Sequence, residues 1–363
     1  MNFELSDDQL ALRDGARDLL DGLADIARVR AVVEASVGVD DALWKAMAEQ
    51  GWPGIAVDES LGGLGFGTVE VAVLLEEVGR HAAPAPVAST ALVLRALIDG
   101  GETDWAARVL ADGGIGCAAW SREADAVRAE GAAGAWRLTG RSDPTPYAPS
   151  ASVAVVVAAT PDGSTGVFAV DLDEVGRPGA EPAMDRTREV GWLTFDATHA
   201  VRLGDESAVI ALLDRGATFA SAEMLGGAAR ALELAVEYAK DRVQFGRPIG
   251  SFQAVKHRCA DMLVDVEGMR STSYWAAWCI GAADPEASIA ASTAKVWCSD
   301  ASKRVMASAL QVHGGIGFTW EHDLHLFLKR GQLDQVTFGD AVYHRDRLAG
   351  LLRTRVEAGE SVI

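Results

Sequence analysis

Hydrophobic and polar positions recur with different periods along the chain, and the change of period divides it into three regions. From residue 1 to about 112, apolar residues recur at helical spacing between glycine and proline breaks. Ser6 followed by Asp7, Asp8 and Gln9 is typical of a helix start, where a serine side chain and an acidic first turn satisfy free backbone amides. Residues 1–112 are therefore predicted to form an N-terminal helical domain.

Between residues 113 and 205 the helical period disappears. Short runs rich in valine and aromatic residues alternate with turn sequences such as Pro161-Asp162-Gly163. Several short strands without intervening helices predict a small antiparallel β-sheet or barrel. The runs are 115–120, 135–139, 153–157, 166–170 and 190–195.

From residue 206 to 363 the helical period returns. Apolar residues step by three and four from Met224 to Tyr238, and again from Val255 to Met269. Two long amphipathic stretches of this kind predict a C-terminal helical bundle. The predicted fold class is thus mainly α with a central β domain, with domains at 1–112, 113–205 and 206–363.

Composition and charge narrow the class of protein. The 363 residues include 33 basic and 52 acidic side chains, so the net charge is −19, which disfavours nucleic acid and anionic membranes as partners. The acidic, amphipathic N-terminus resembles neither a signal nor a transit peptide, and no apolar run reaches the length of a membrane span. The four cysteines show no CxxC spacing. We expect a cytoplasmic protein with buried thiols and no metal.

Two glycine-containing motifs interrupt the predicted bundle. Residues 242–253 read Arg-Val-Gln-Phe-Gly-Arg-Pro-Ile-Gly-Ser-Phe-Gln, and residues 311–317 read Gln-Val-His-Gly-Gly-Ile-Gly. An arginine can fork onto a phosphate, glycines let backbone amides approach a ligand, and a glutamine can hold an adenine or ribose edge. Together these residues suit the adenosine and diphosphate half of a dinucleotide.

Basic residues concentrate beside the first motif. An acidic protein repels a polyanionic ligand at long range, so a nucleotide site needs a local basic patch. The residues that could supply it are Lys240, Arg242, Arg247 and Lys256. Further along, His322, Asp323 and His325 have a spacing that suggests a metal site, and the lone His313 is interpreted as a packing or hydrogen-bonding residue.

The two motifs resemble those of the acyl-CoA dehydrogenase family, flavoenzymes that oxidise acyl-CoA thioesters at the α and β carbons. The resemblance covers essentially the whole chain and implies an N-terminal helical domain, a small β domain and a C-terminal four-helix bundle. It also implies FAD as cofactor, bound across a subunit interface so that these residues serve the flavin of a neighbouring chain. The residues that match cofactor-contacting positions are Arg242, Gln244, Phe245, Gln253, Gln311, Gly314 and Gly315. The family has a run similar to 322–325 without a metal.

Other family motifs are missing. Runs resembling T-E-P-x-A-G-S-D and W-I-T-N hold the flavin ring and the thioester in ordinary members, but residues 118–125 and 141–147 retain neither pattern. The catalytic glutamate of a Y-E-G-T run is replaced by Gly339, with Asp340 one position away. Other members place the base near the position of Gly216, where the chain has Asp214 but no glutamate in register. Glu223 is interpreted as serving the positive end of a helix dipole.

The chain retains the nucleotide motifs but lacks the ring-binding motifs and the catalytic glutamate. In this combination it resembles the shorter subunit of actinobacterial heterotetrameric enzymes. In such an α2β2 assembly a longer homologous subunit holds the base and the flavin ring, and the roomier interior suits bulky acyl groups such as steroid side-chain CoA esters. The resemblance further implies an electron-transfer flavoprotein or similar acceptor. Two alternatives stay open: a self-sufficient homotetramer that uses Asp340 as base, and a flavin-free scaffold or thioester-binding module.

Overall fold

A computed structural model describes residues 4–123, 125–132 and 134–359. Ala124, which belongs to the run 118–125 that lacks the family's ring-contacting pattern, lies outside them, as do the ends of the predicted helical domains, 1–3 and 360–363. The predicted first helix is confirmed: Gln9 N donates to Ser6 Oγ at 3.2 Å, and Ser6 N donates to Gln9 Oε1 at 2.9 Å. The first helices are α1 Asp7–Leu23, α2 Ile26–Ala35, α3 Asp41–Glu49, α4 Thr68–Arg80, α5 Val87–Asp99 and α6 Thr103–Ala111.

A six-stranded sheet follows, with a short helix α7 (Leu172–Val175) after its fifth strand. Its strands are β1 Gly116–Ala119, β2 Val127–Ala132, β3 Ala135–Pro146, β4 Val153–Ala159, β5 Thr165–Asp171 and β6 Val190–Gly204. The order is β1-β4-β2-β3-β6-β5, and β4 also pairs with β5, so the last five strands close on themselves. The predicted β domain is confirmed. It differs in that β1 and β2 pair with β4 in parallel, whereas the other pairings are antiparallel.

The C-terminal part of the chain is again helical. Its elements are α8 Glu206–Asp241, a hairpin of β7 Val243–Gln244 and β8 Arg247–Pro248, α9 Gln253–Gly281, α10 Ala287–His313, α11 Leu324–Val336 and α12 Ala341–Glu357. The stretches predicted to be helical from their period lie within α8 and α9, so that prediction is confirmed. Helix packing here uses small residues, since a Cβ at Gly226 would lie 1.8 Å from the carbonyl oxygen of Glu76.

The chain forms two compact units. One comprises residues 1–29, 72–83 and 217–363, and its core is built from α8, α9 and α10 around residues such as Met224, Met262 and Met306. The other comprises residues 30–71 and 84–216, and an apolar cluster lies within its sheet, where Phe168 meets Trp136 edge to face at 5.4 Å. The boundaries predicted at 112/113 and 205/206 stay a prediction. Across the part of the chain that the structure describes, no helix has the length and apolar character needed to cross a membrane.

Candidate cofactor site

The first motif forms a tight hairpin at the end of α8. Strands β7 and β8 pair through Gln244 and Arg247, and the two residues between them, Phe245 and Gly246, have φ angles of 51° and 78°. Two consecutive left-handed residues are the geometry of a type I′ turn, which suits glycine but strains phenylalanine. Phe245 is also 92% exposed, so burial against the described residues does little to offset this backbone strain. A strained aromatic residue at an exposed hairpin tip suggests a surface that contacts another molecule.

Gln253 follows the hairpin as the first residue of α9. The preceding Phe252 provides no side-chain cap for this 29-residue helix, so the positive end of the helix dipole is not closed by a carboxylate or hydroxyl. Arg247 lies over the Phe252 ring at 4.2 Å. Gln244 donates to the carbonyl of Val243 at 2.8 Å, so its side chain is held along its own strand. An uncapped helix start beside arginine residues suits a phosphate.

Within the described part of the chain, the four side chains of the predicted basic patch are free to bind an anionic ligand. Among the described residues, no carboxylate forms an ion pair with any member of the set Lys240, Arg242, Arg247 and Lys256. All four side chains are exposed. The chain has a net charge of −19, so four neighbouring cations that form no ion pair with a described residue provide a local site for a polyanion.

The second motif lies at the end of α10. Gln311 is exposed and its side chain forms no hydrogen bond with a described residue. A Cβ added at Gly314 or Gly315 would meet no atom within 4 Å, so the space beside both glycines is open. The His313 ring lies 4.7 Å from that of Tyr238, which is in the last turns of α8. The structure thus brings the end of α10 to the end of α8, from which the first motif extends.

The hydroxyl side chains within residues 141–147, which align with a flavin-ring segment of the family, form hydrogen bonds within the chain. Ser142 is buried; its hydroxyl donates to Asp143 O at 2.7 Å and accepts from Leu193 N at 3.3 Å. Thr145 is buried and donates to the same Asp143 carbonyl at 3.0 Å. Tyr147 is buried in a left-handed conformation, φ 62°, and its hydroxyl donates to Ala85 O at 3.0 Å. These three hydroxyls are therefore committed to hydrogen bonds within the chain.

Two prolines remove further donors from the same strand. Pro144 and Pro146 lie on β3 and have no backbone N–H. A flavin ring needs donors for its carbonyl oxygens. That this segment does not hold the flavin ring stays a prediction.

Asp340, the weak candidate base, serves as a helix cap. Its carboxylate accepts a hydrogen bond from Tyr343 N at 2.8 Å and so satisfies one free amide at the start of α12. Gly339, where the family's glutamate would stand, has φ 93°. A Cβ at Gly339 would lie 2.5 Å from Tyr343 Cδ1. The local backbone therefore excludes a glutamate at Gly339 in this conformation.

A buried lysine holds the turn that precedes Asp340. Lys295 is fully buried and its Nζ donates to the carbonyls of Asp334, Gln335 and Thr337 at 2.6, 3.3 and 2.7 Å. These carbonyls belong to the end of α11, where helical acceptors lack partners. Burial lowers the pKa of Lys295 to about 7. The lysine fixes this turn as a structural element.

A buried histidine fixes the same turn from α12 and predicts a pH dependence of stability. His344 Nε2 donates to Phe338 O at 2.8 Å, and burial lowers the pKa of His344 from 6.5 to about 4. The unfolded chain binds this proton near pH 6.5 and the folded chain only near pH 4, so stability is lost as pH falls through that window. Between pH 7.5 and 5 the loss from this group should be about 2 kcal/mol.

Urea unfolding at both pH values tests the role of His344. In His344→Gln the longer amide can still donate to Phe338 O from the position of Nε2, but the titrating group is gone, so the pH-dependent loss should shrink. The exposed His199→Gln variant is the control and should keep the wild-type slope. An unchanged slope in His344→Gln would contradict the assignment.

The other candidate carboxylates are also committed to structure. Asp214 is buried on α8. Glu223 is buried, and its Oε2 lies 3.5 Å from Nη2 of the buried Arg330. The interpretation that Glu223 serves a helix start is wrong, because α8 begins at Glu206, about five turns earlier. Its function is to balance a buried arginine.

The histidine-rich run after the second motif packs locally. His322 Nδ1 accepts from Leu324 N at 3.1 Å, and His325 lies edge to face against Trp320 at 4.5 Å. Within the described ranges, no group of three or more metal-ligating side chains is gathered in a geometry for a metal ion.

Comparison with known proteins shows the family. The "Acyl-CoA dehydrogenase, N-terminal domain" profile matches residues 6–112, and the "Acyl-CoA dehydrogenase, C-terminal domain" profile matches residues 207–352. The chain therefore belongs to the acyl-CoA dehydrogenase family, an oxidoreductase family that uses FAD.

Among curated proteins, the chain is similar to two proteins named acyl-CoA dehydrogenase IpdE2. The one from Mycolicibacterium smegmatis is 33% identical over 327 residues, covering 90% of this chain and 93% of that protein. The one from Mycobacterium tuberculosis is 35% identical over 323 residues, covering 88% and 89%.

Two solved structures are similar over nearly the whole chain. A chain of a variant of the Tcur3481-Tcur3483 steroid ACAD has a TM-score of 0.89 at 32% identity, covering 96% of this chain and 99% of that one. A chain of the ChsE4-ChsE5 complex from Mycobacterium tuberculosis has a TM-score of 0.90 at 30% identity, covering 97% and 99%. Both names describe assemblies of two differently named chains.

Sequence reasoning missed the residues that support the motifs. Tyr238, Phe252 and His322 place rings beside the motif residues. Tyr238 fits the helical period as an ordinary apolar position, Phe252 lies inside the first motif without an assigned contact, and His322 was noted only for a metal-like spacing. Their proximity to the motifs was the available signal. Phe318, 75% exposed after the second motif, was also missed; an aromatic residue next to a glycine-rich turn was the available signal.

Proposed function

We propose that this chain is a subunit of a FAD-dependent acyl-CoA dehydrogenase and supplies contacts to the adenosine and diphosphate half of the cofactor. The flavin ring and the catalytic base would belong to a homologous, longer partner subunit. Bound FAD supplies the hydride acceptor for α,β-desaturation of the acyl-CoA. The observation that carries the proposal is a contrast between two sets of residues: the candidate cofactor-contacting side chains of the nucleotide motifs are exposed and lack internal ion pairs among the described residues, whereas the hydroxyl side chains within residues 142–147 form hydrogen bonds within the chain.

The residues present fit the nucleotide half of FAD. Arg242 is an exposed guanidinium without an ion-pair partner among the described residues, and Gln253 begins a helix that lacks a side-chain cap. Gln311 and the open space beside Gly314 and Gly315 provide a polar edge and room for close backbone approach. In the proposed site Arg242 and the start of α9 hold the diphosphate, and Gln311 holds the adenosine. Gln244, Phe245 and Gln253 complete these contacts.

Exposed apolar residues on both motifs support a partner subunit. The set comprises Val243, Phe245, Ile316, Phe318 and Trp320, each at least 44% exposed. Exposed aromatic residues beside polar binding residues are typical of interfaces. We assign this surface to the contact with the flavin-bearing subunit in an α2β2 assembly.

The names of the relatives support a class of substrate. One similar structure is named a steroid ACAD, and both similar assemblies contain two unlike chains. We propose a bulky acyl-CoA such as a steroid side-chain ester, with an electron-transfer flavoprotein or similar protein as acceptor. The intact Arg242, Gln253 and Gln311 argue against the flavin-free scaffold.

The self-sufficient alternative depends on Asp340 and is tested by Asp340→Asn in the complex with the partner subunit. Asparagine is an equally good helix N-cap, so α12 should keep its start. Because we assign the base to the partner, kcat per bound FAD should stay within about 3-fold of wild type, less than general-base removal produces. The measurement is steady-state acyl-CoA oxidation with an artificial electron acceptor. Turnover that falls more than about 100-fold while flavin stays bound would establish Asp340 as the base.

A further inference from the structure

Three chain segments meet at the side chain of His313, the last residue of α10. His313 is 3% exposed, and its ring contacts the rings of Tyr238 from α8, at 4.7 Å, and His322 from the segment before α11, at 4.3 Å. The Tyr238 and His313 planes are tilted by 30°, and those of His313 and His322 by 62°. His313 is buried, whereas Tyr238 and His322 are half-buried; we call these three contacting rings the Tyr238–His313–His322 stack.

The hydrogen bonds of His313 fix its chemical state. Nδ1 lies 2.8 Å from the carbonyl oxygen of Ala309, which can only accept, so Nδ1 carries the proton. In the neutral ring Nε2 is then an acceptor, and this atom is buried without a hydrogen-bond partner. Because Nε2 is inaccessible, a nucleotide at the surface does not reach it. His313 therefore cannot be a ligand-contacting residue in this conformation, and any effect on the site passes through its neighbours.

Residues on both sides of His313 contact the two nucleotide motifs. The carbonyl of Tyr238 accepts from Arg242 N at 2.9 Å, and the carbonyl of Arg242 accepts from Ile249 N at 2.8 Å, so the hairpin is anchored on the turn that bears Tyr238. On the other side, Gly314 follows His313 with φ 63°, and a Cβ at Gly317 would lie 3.0 Å from His313 Cβ. The contact between the rings of Tyr238 and His313 thus connects the turn that anchors the Arg242 hairpin to the residue that precedes the Gly314 turn.

We propose that His313 is a positioning residue: the Tyr238–His313–His322 stack sets the spacing between Arg242 and the Gly314–Gly315 turn that FAD binding requires. The inference rests on the proposed function, in which both segments hold the same nucleotide. It assigns the function to the ring as a spacer and none to the free Nε2 atom. A smaller side chain should let the two segments move together or apart, whereas another flat ring should keep the spacing.

The test compares His313→Ala with His313→Phe in the complex of this chain and its flavin-bearing partner subunit. We expect His313→Ala to raise the Kd for FAD at least about 10-fold, because misplacement by about 1 Å is enough for such a loss. His313→Phe should stay within about 3-fold of wild type, since it keeps the stack. The Kd is measured by quenching of flavin fluorescence on titration of the apo complex. The control is Val305→Ala, a buried cavity variant on the same helix, which should lower stability and leave the Kd unchanged.

Three outcomes would overturn the proposal. If His313→Ala binds FAD as wild type does, the stack does not position the motifs. If His313→Phe is as weak as His313→Ala, the site depends on the ring nitrogen and the spacer assignment is wrong. If Val305→Ala raises the Kd as much as His313→Ala does, the effect is general destabilisation.

A second readout does not depend on flavin. Trypsin cleaves after Arg242 only when the hairpin opens, so the cleavage rate of the free full-length chain reports how firmly the hairpin is anchored. His313→Ala should be cut about 10-fold faster than wild type, and His313→Phe at the wild-type rate. Equal rates for all three proteins would contradict the proposal. If Arg242→Ala leaves FAD affinity unchanged, the proposed function fails, and the trypsin rates still decide whether His313 positions the hairpin.

Discussion

Replacing Arg242 with alanine in the assembled complex should weaken FAD binding about 10- to 100-fold, the effect of removing one charge-assisted contact to a phosphate. Arg242 is exposed, lies at the start of the hairpin and forms no ion pair with a described residue, so its charge is available to a ligand. Its loss leaves the diphosphate with fewer donors but creates no cavity in the fold. Affinity should therefore fall without a change in unfolding free energy. Flavin fluorescence titration of the apo complex measures the first quantity, and urea unfolding measures the second.

Matched variants separate the contact from a general effect of charge. Arg353 is an exposed arginine on α12, and Arg353→Ala removes the same charge without touching either motif. It should leave the Kd within about 2-fold of wild type, as expected for an exposed side chain away from a site. Arg242→Lys should lie between wild type and alanine, because an ammonium keeps the charge but not the planar fork. Equal affinity in wild type and Arg242→Ala would show that this residue does not hold the cofactor.

Replacing Lys295 with methionine should destabilise the chain by roughly 3–5 kcal/mol, because three carbonyls lose their donor and each unsatisfied buried polar group costs about 1–3 kcal/mol. Methionine fills a similar volume but leaves the carbonyls of Asp334, Gln335 and Thr337 without their donor. These acceptors are at the end of α11, where the helix cannot satisfy them itself. Chemical unfolding of the wild-type and variant chains measures the difference.

The lowered pKa of Lys295 also predicts how the stability difference between wild type and Lys295→Met changes with pH. Burial lowers the pKa of Lys295 to about 7 from an ordinary value of 10.5, so above pH 7 the unfolded chain binds the proton more tightly than the folded one. Stability attributable to this group therefore rises as pH increases from 7 toward 10.5. The gap between wild type and Lys295→Met should widen between pH 7 and 9. Lys303→Met, an exposed change on the same helix, should shift stability by no more than about 0.5 kcal/mol at either pH. A narrowing gap would contradict the assigned direction.

The long periodic elements of this fold were predictable from the sequence, because their cores are built from regularly spaced side chains. Helices α8 and α9 follow the steps of three and four between Met224 and Tyr238 and between Val255 and Met269. Strand β2 was not predicted, since Val127–Ala132 contains small and charged residues and is stabilised by pairing with β3. The parallel pairings of β4 likewise depend on topology that local pattern does not encode.

The residue types at the candidate site were predictable from the sequence, but the hydrogen bonds and helix positions of the individual side chains were not. The sequence identifies Asp340 as a carboxylate near the family's base position, and only the backbone shows that it caps α12. Glu223 was assigned to a helix start because the beginning of α8 at Glu206 was not recognised. The stack around His313 joins residues up to 84 positions apart, from Tyr238 to His322, and such a contact has no local signal.

Flavin content per polypeptide tests the central claim most directly. The chain should be purified alone and together with a longer homologous subunit, and FAD should be quantified by absorbance after denaturation. We predict no bound FAD and no acyl-CoA oxidation for the lone chain, and about one FAD for each pair of unlike chains in the active complex. A yellow, active preparation of the lone chain with about one FAD per polypeptide would contradict the account.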